Sequence, residues 1–389
     1  MKRGVVVGAL GTAQTLAWGS SYYLPAILAD PIAHGLGLSR TVVFGVFSGA
    51  LLVSALLGPP VGRVIDAYGG RDVLALSNLV LAAGLVLLAL TQGVVSLVAA
   101  WTILGIGMAM GLYDPAFATL AGLYGRAARG PITGITLIAG FASTVGWPLS
   151  ALLEAHFGWR GACLVWAALH LLIGLPLNRL LIPRAPPPTP IRATEAQQTA
   201  GPTPRGAMPL LAFVFAATWF VTGAMAAHLP RLLEIAGASA TAAIAAAALV
   251  GPAQVGARLV EFGVLKRTHP LISARLATAL HPIGAAVLMA IGPPAVAAFA
   301  ILHGAGNGLL TIAKGTLPLA IFGPVGYGLR SGILGAPARA TQAASPLLFG
   351  LLMDRMGVGA LAISAGLSLS ALVALLLLKA QPVPAPVAA

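Results

Sequence analysis

Apolar positions dominate this chain in long blocks, separated by short polar or glycine-rich interruptions. The blocks lack both the two-residue alternation of strands and the polar faces of soluble helices, and each is long enough to cross a bilayer, which takes ~20 residues per helix. The pattern predicts twelve membrane helices, over residues 5–29, 41–64, 73–92, 95–123, 131–154, 160–182, 209–233, 241–264, 270–291, 295–322, 331–353 and 358–379. Between the sixth and the seventh, residues 183–208 are proline-rich and polar, without apolar periodicity. Such a stretch cannot bury a core and reads as a semi-rigid tether. Three parts follow: a six-helix bundle over 1–182, the tether over 183–208, and a second six-helix bundle over 209–389.

Composition supports the bilayer as main solvent. Charged residues make up 8% and hydrophobic residues 58%, whereas soluble domains carry roughly a quarter charged residues. Charge then orients the chain. If successive loops alternate sides, one side collects Lys2, Arg3, Arg63, Arg71, Arg126, Arg129, Arg179, Arg184, Arg192, Arg205, Lys266, Arg267, Arg330 and Lys379; the other has Arg40, Arg160, Arg231 and Arg355. By the positive-inside rule the first side is cytoplasmic, which places both termini and the tether inside and the protein in the cell (inner) membrane. Lys2-Arg3 and the apolar stretch behind them resemble a signal peptide. The stretch runs on through Ala29 without a cleavage site, so it is read as the first helix.

The net charge of +13 comes from bases scattered singly, with no basic stripe interleaved with aromatics, and nucleic acid is not expected as a partner. The one cysteine, Cys163, excludes an intrachain disulfide and a multi-cysteine metal site. No HExxH, GxSxG, Walker or usable GxGxxG motif occurs, so an intramembrane enzyme or an ATP-driven pump is not indicated, and no cofactor is expected.

The halves echo one another. Gly105-Ile106-Gly107 precedes Asp114, and Gly304-Ala305-Gly306 precedes Lys314; Arg63-Val64-Ile65-Asp66 resembles Arg258-Leu259-Val260-Glu261. Duplicated halves are the form expected of a carrier with alternating access. The segment Gly62-Arg63-Val64-Ile65-Asp66-Ala67-Tyr68-Gly69-Gly70-Arg71 resembles the cytoplasmic signature of the major facilitator superfamily, with further echoes at Gly158-Trp159-Arg160 and at Gly350 to Gly357. The resemblance implies an all-α fold of twelve membrane helices in two pseudo-symmetric bundles. It also implies a gating clasp from Gly62, Asp66, Gly69 and Arg71, although Ala67 stands where the family usually has a base. Leu123 to Gly130 and a lone arginine late in helix 8 resemble the monocarboxylate/oxalate–formate branch, in which Arg258 would be the anion partner.

Charges inside membrane helices are the chemical candidates, because an ionised side chain at mid-bilayer costs at least ~2.5–3.5 kcal/mol. Asp114 lies about ten residues from a helix end, ~15 Å deep at the helical rise, and Pro115 should kink the helix after it. Lys314 shares a helical face with His303 and Asn307, and this polar stripe should line water. Arg258 offers a planar fork to a carboxylate, but Glu261 at i+3 could instead hold it in a structural pair. Weaker candidates are His228 in helix 7 and Gln14, Trp18, Tyr22 and Tyr23 in helix 1. Arg275 and Arg339 read as topology signals, and Gly107/Gly111 and Gly304/Gly308 as packing contacts.

A secondary transporter of a small organic anion, with protons as a possible coupling ion, is the expected function, and a monomer the expected state. A drug or metabolite exporter of the same fold is the alternative, and a membrane sensor without transport a remoter one. The low aromatic content, 6%, argues against a large aromatic pocket.

Overall fold

A computed structural model of the protein describes residues 2–184 and 206–378. Most of the tether, with Arg192 and Arg205, and also Lys379, lie outside the described residues. The described chain is helical throughout and crosses twelve times. Span 1 is Arg3–Ser20 continued by Pro25–Leu36; span 2 is Arg40–Tyr68; span 3 is Arg71–Ala89; span 4 is Val94–Gly111 continued by Tyr113–Tyr124. Span 5 begins at Arg129–Ile138 and runs on through residues 142–157, where Gly158, at φ +67°, turns the chain into span 6 (159–180). Span 7 is Ala207–Ile235, span 8 Ala240–Ala248 with Val250–Gly263, and span 9 Pro270–Ile291. Span 10 is Val296–Phe322, span 11 Tyr327–Met356 and span 12 Ala360–Leu377.

Span 1 departs most from expectation. It breaks after Ser20 and resumes at Pro25, and it reaches Leu36 rather than stopping near residue 29. Proline at the first helical position needs no hydrogen-bond acceptor, so Pro25 restarts a helix at no cost in donors.

The glycines of the internal echo do equivalent jobs in the two halves. A side chain at Gly105 would collide with span 2 at the Ala50 carbonyl, and one at Gly107 with Leu81 of span 3. In the second half, Gly304 lies against Val250 of span 8 and Gly306 against Ala277 of span 9. Small residues permit this backbone approach where water supplies no driving force.

The loops holding the first helix's start, Gly69–Gly70, Gly125–Ala128, Val264–His269 and Gly323–Gly326 share one face, here called the basic face. Near it the halves are joined: span 2 packs along span 11, and spans 5 and 8 touch through Arg129–Ile138 and Val250–Gly263. Farther from it, residues 142–157 of span 5 and Ala240–Ala248 of span 8 pack chiefly on their own halves.

Candidate functional site

Span 4 shows how sequence places the acid. Pro115 has no N–H, so it cannot donate to the carbonyl of Gly111 one turn earlier. The helix ends at Gly111, Leu112 turns extended (ψ −162°), and a new helix opens at Tyr113 with Asp114 in its first turn. An acid suits that position because the helix dipole is positive there. The orphaned Gly111 carbonyl accepts from Gln14 Nε2 at 2.6 Å, as backbone at membrane depth requires. Gln14 is therefore the patch for a proline break.

Asp114 is 5% exposed and lies between the halves. Lys314 Nζ of span 10 sits 2.9 Å from its Oδ1 and 3.1 Å from its Oδ2. The guanidinium of Arg339, on span 11, also pairs with Oδ2. Lys314 further lies over the Trp219 ring, 4.9 Å from its centroid. The structure thus brings Asp114 and Lys314 together and adds Arg339, which sequence reasoning had assigned to topology. That reading fails because span 11 extends as a helix to Tyr327, which puts Arg339 three turns inside. Arg275, the other residue so read, donates to the carbonyls of Leu375 and Leu378 at the end of span 12.

Arg258 is buried, and the structural pair with Glu261 does not form. Its guanidinium donates over long distances to the Thr136 carbonyl of span 5 (3.3 Å) and to Gln254 (3.4 Å), and its Nε has no partner. Glu261 instead accepts from Arg129 Nη2 (3.0 Å) and Ser273 Oγ (2.6 Å). Arg129 also donates to the Leu265 and Thr268 carbonyls, tying span 5 to the loop after span 8. Beside this knot, His269 caps span 9 by accepting from the Leu271 N–H. Burial, then Arg129 and Arg275, hold its imidazole below the usual histidine range. The neutral ring that can accept is therefore the form at neutral pH, and this cap's stabilisation is lost only as pH falls through the lowered value.

His303 and Asn307 share the face of Lys314, as their spacing predicted, yet they do not line a path between the halves. At their level that face meets spans 7, 9 and 12 of the same half. Asn307 accepts from Thr222 at 3.1 Å, and His303 Nδ1 lies 3.1 Å from His281 Nδ1. Ser364 Oγ donates to the Leu361 carbonyl, so it accepts from His281 Nε2. His281 Nδ1 must then accept from His303 Nδ1–H. His228 is a packing residue, its Nε2 2.7 Å from the Pro346 carbonyl. Tyr22 accepts from Gln342 Nε2 at 2.8 Å, a contact between spans 1 and 11 across the halves.

The residues expected to form a clasp, Gly62, Asp66, Gly69 and Arg71, sit at the basic face. Asp66 accepts from the backbone N–H groups of Gly328 and Leu329, both at 2.8 Å. It caps the first turn of span 11 in the opposite half, where anions are favoured. Gly62 meets the Gly328 carbonyl so closely that no side chain fits, and Gly332 of span 11 meets the Gly58 carbonyl in the same way. Gly69, at φ +83°, ends span 2. Arg71 takes no part in the clasp. It points to its neighbour Asp72 at 3.6 Å.

Two six-span halves around buried charge define a multi-pass membrane carrier. The sequence model of the Major Facilitator Superfamily matches residues 10–291, and the chain belongs to that superfamily. The fold is similar to the crystal structure of the human organic anion transporter MFSD10 (TETRAN), at TM-score 0.72 and 18% identity over 96% of this chain and 100% of that one. It is also similar to the E. coli fucose:proton symporter FucP (N162A), at TM-score 0.73 and 12% identity over 97% and 99%. No curated protein sequence matches the chain. The branch resembling monocarboxylate and oxalate–formate carriers finds no specific support in these matches.

Proposed function

We propose that the protein moves a small organic anion by alternating access, coupled to protons through Asp114. The observation that carries this reading is an excess of buried positive charge between the halves. Among the described residues Lys314 and Arg339 share one buried carboxylate, Asp114, and Arg258 has none in ion-pair range, because Glu261 is already neutralised by Arg129. Buried charge is tolerated when paired, so the surplus cations select an anion as the missing partner. The two structural relatives are described as an organic anion transporter and as a proton symporter, which agrees with both parts of the reading.

An arriving anion competes with Asp114 for its cations. As Asp114 loses them it meets an added negative charge, and both changes favour its protonated form. Substrate and proton are thereby linked. The groups around Asp114 that bear on this exchange are Lys314, Arg339 and the Tyr327 phenol. With the basic face cytoplasmic, the joined seam of spans 2 and 11 closes the site from the cytoplasm. Reporter fusions at Gly93 and Ala196 should then report opposite compartments, and matching compartments would remove this orientation.

The test is flux. Purified protein in proteoliposomes should take up or exchange a labelled monocarboxylate and ignore a lipophilic cation of equal size. Lys314→Ala should abolish this flux, whereas Asp114→Asn should keep exchange and lose its pH dependence. Normal anion transport by Lys314→Ala would overturn the proposal.

A further inference from the structure

Aromatic residues are few in this chain but not evenly spread. Four of them meet where the two broken helices of the first half come together. Trp18 contacts Tyr22, Tyr23 and Tyr113 at ring-centroid distances of 5.2, 6.0 and 5.0 Å. Tyr22 and Tyr23 belong to the break in span 1, and Tyr113 follows the break in span 4. Breaks in membrane helices are where secondary transporters commonly build their sites. All four residues are only partly buried.

The opposite half supplies the charge. Arg258 lies against Thr136 and Gly140 of span 5, within electrostatic reach of the Tyr23 and Tyr113 phenols. Arg258 is 5% exposed, with no carboxylate in ion-pair range among the described residues and with Nε unpartnered. Across the ring cluster, the buried indole N–H of Trp18 also lacks an acceptor. Two buried donors without acceptors, bordering the same tyrosine, call for an acceptor from outside the chain.

We infer that the anion this site takes is an aryl carboxylate: a planar aromatic ring bearing one carboxylate, held by Arg258 and packed against Tyr23, Tyr113 and Trp18. This rests on the anion reading above and narrows it. A guanidinium's planar fork matches a carboxylate. The wall facing it is made of ring edges and faces, whose quadrupoles favour another aromatic ring over a saturated one of equal size. An aromatic cation would meet the same rings but would be repelled by Arg258.

Titration calorimetry of the purified full-length protein with benzoate, cyclohexanecarboxylate and benzamide tests this. Benzoate should bind roughly tenfold tighter than cyclohexanecarboxylate, and benzamide should not bind measurably. Tyr113→Leu should erase the preference, bringing the affinities of benzoate and cyclohexanecarboxylate within about twofold of each other; Arg258→Gln should weaken both carboxylates. If Tyr113→Leu does not fold, Tyr23→Leu makes the same test. Equal or tighter binding of cyclohexanecarboxylate, or a preference that survives the tyrosine variants, overturns the aryl assignment and leaves the anion reading standing. Benzamide binding as well as benzoate, or no binding of either carboxylate, overturns both.

Discussion

Asp114→Ala is expected to destabilise the protein by about 3–5 kcal/mol, far more than Lys314→Met. The reason is the two-to-one composition of the buried cluster. Removing Asp114 leaves Lys314 and Arg339 as two desolvated cations facing each other with no counter-charge. Removing Lys314 leaves Asp114 paired with Arg339, a balanced ion pair, and costs on the order of 1–2 kcal/mol, the lost contact with Trp219 included. Asp114→Asn, which keeps volume and hydrogen-bonding atoms, should fall between. The double variant Asp114→Asn/Lys314→Met should recover part of the loss of Asp114→Asn, because it removes one of the stranded cations. Denaturation midpoints of the purified proteins in one detergent read all four. The account fails if Lys314→Met proves as damaging as Asp114→Ala.

This ordering separates stability from transport. Lys314→Ala should fold and fail to carry anions, so loss of flux there cannot be put down to misfolding. Asp114→Asn should be the less stable protein and yet retain exchange.

Much of the cluster was legible before the structure. Asp114 and Lys314 stood out because each is an ionisable residue deep in an apolar run, a placement whose cost demands a partner. Pro115 announced a break, though not that the break would fall at Leu112 or that Gln14 would bridge it, since that bridge depends on how spans 1 and 4 meet. Arg339 escapes notice in the sequence because its depth there depends on where helix 11 starts, expected at residue 331. The helix begins at Tyr327, and its first turn is buried under Asp66 rather than lying in a loop. His303 and Asn307 lie on the expected face, which at their level borders a small cavity within the second half: periodicity gives direction about a helix axis, not which neighbour the helix meets at each level. The low aromatic content bears on the chain as a whole and not on any one place in it. An average over the chain says nothing of rings gathered at two helix breaks.

The larger functional effect should come from the seam at the basic face. Gly328, Gly332, Gly335 and Arg339 climb one face of span 11 at spacings of four, three and four. They meet in order Gly62, Gly58, Asp114 and the Ser54 carbonyl. Asp66, capping Gly328 and Leu329, closes the lower end of this row, and the Asp114 cluster closes the upper. The cluster therefore joins the halves only while spans 2 and 11 remain together, and opening the basic face must pull Asp114 away from both of its cations. Gly62→Val puts a branched side chain where the Gly328 carbonyl already touches the backbone. Neither partner is the flexible end of a side chain, so the helices must part. The variant is expected to hold the basic face open, raising cysteine labelling there at least tenfold and abolishing flux. Asp66→Asn, which keeps a side-chain oxygen for one of the two N–H groups but loses the charge at the helix end, should raise labelling by a smaller factor and slow transport without stopping it. The comparison is made with a cysteine placed at Ser331, in a background where Cys163 is alanine. Unchanged labelling in Gly62→Val would mean that the seam is not the gate.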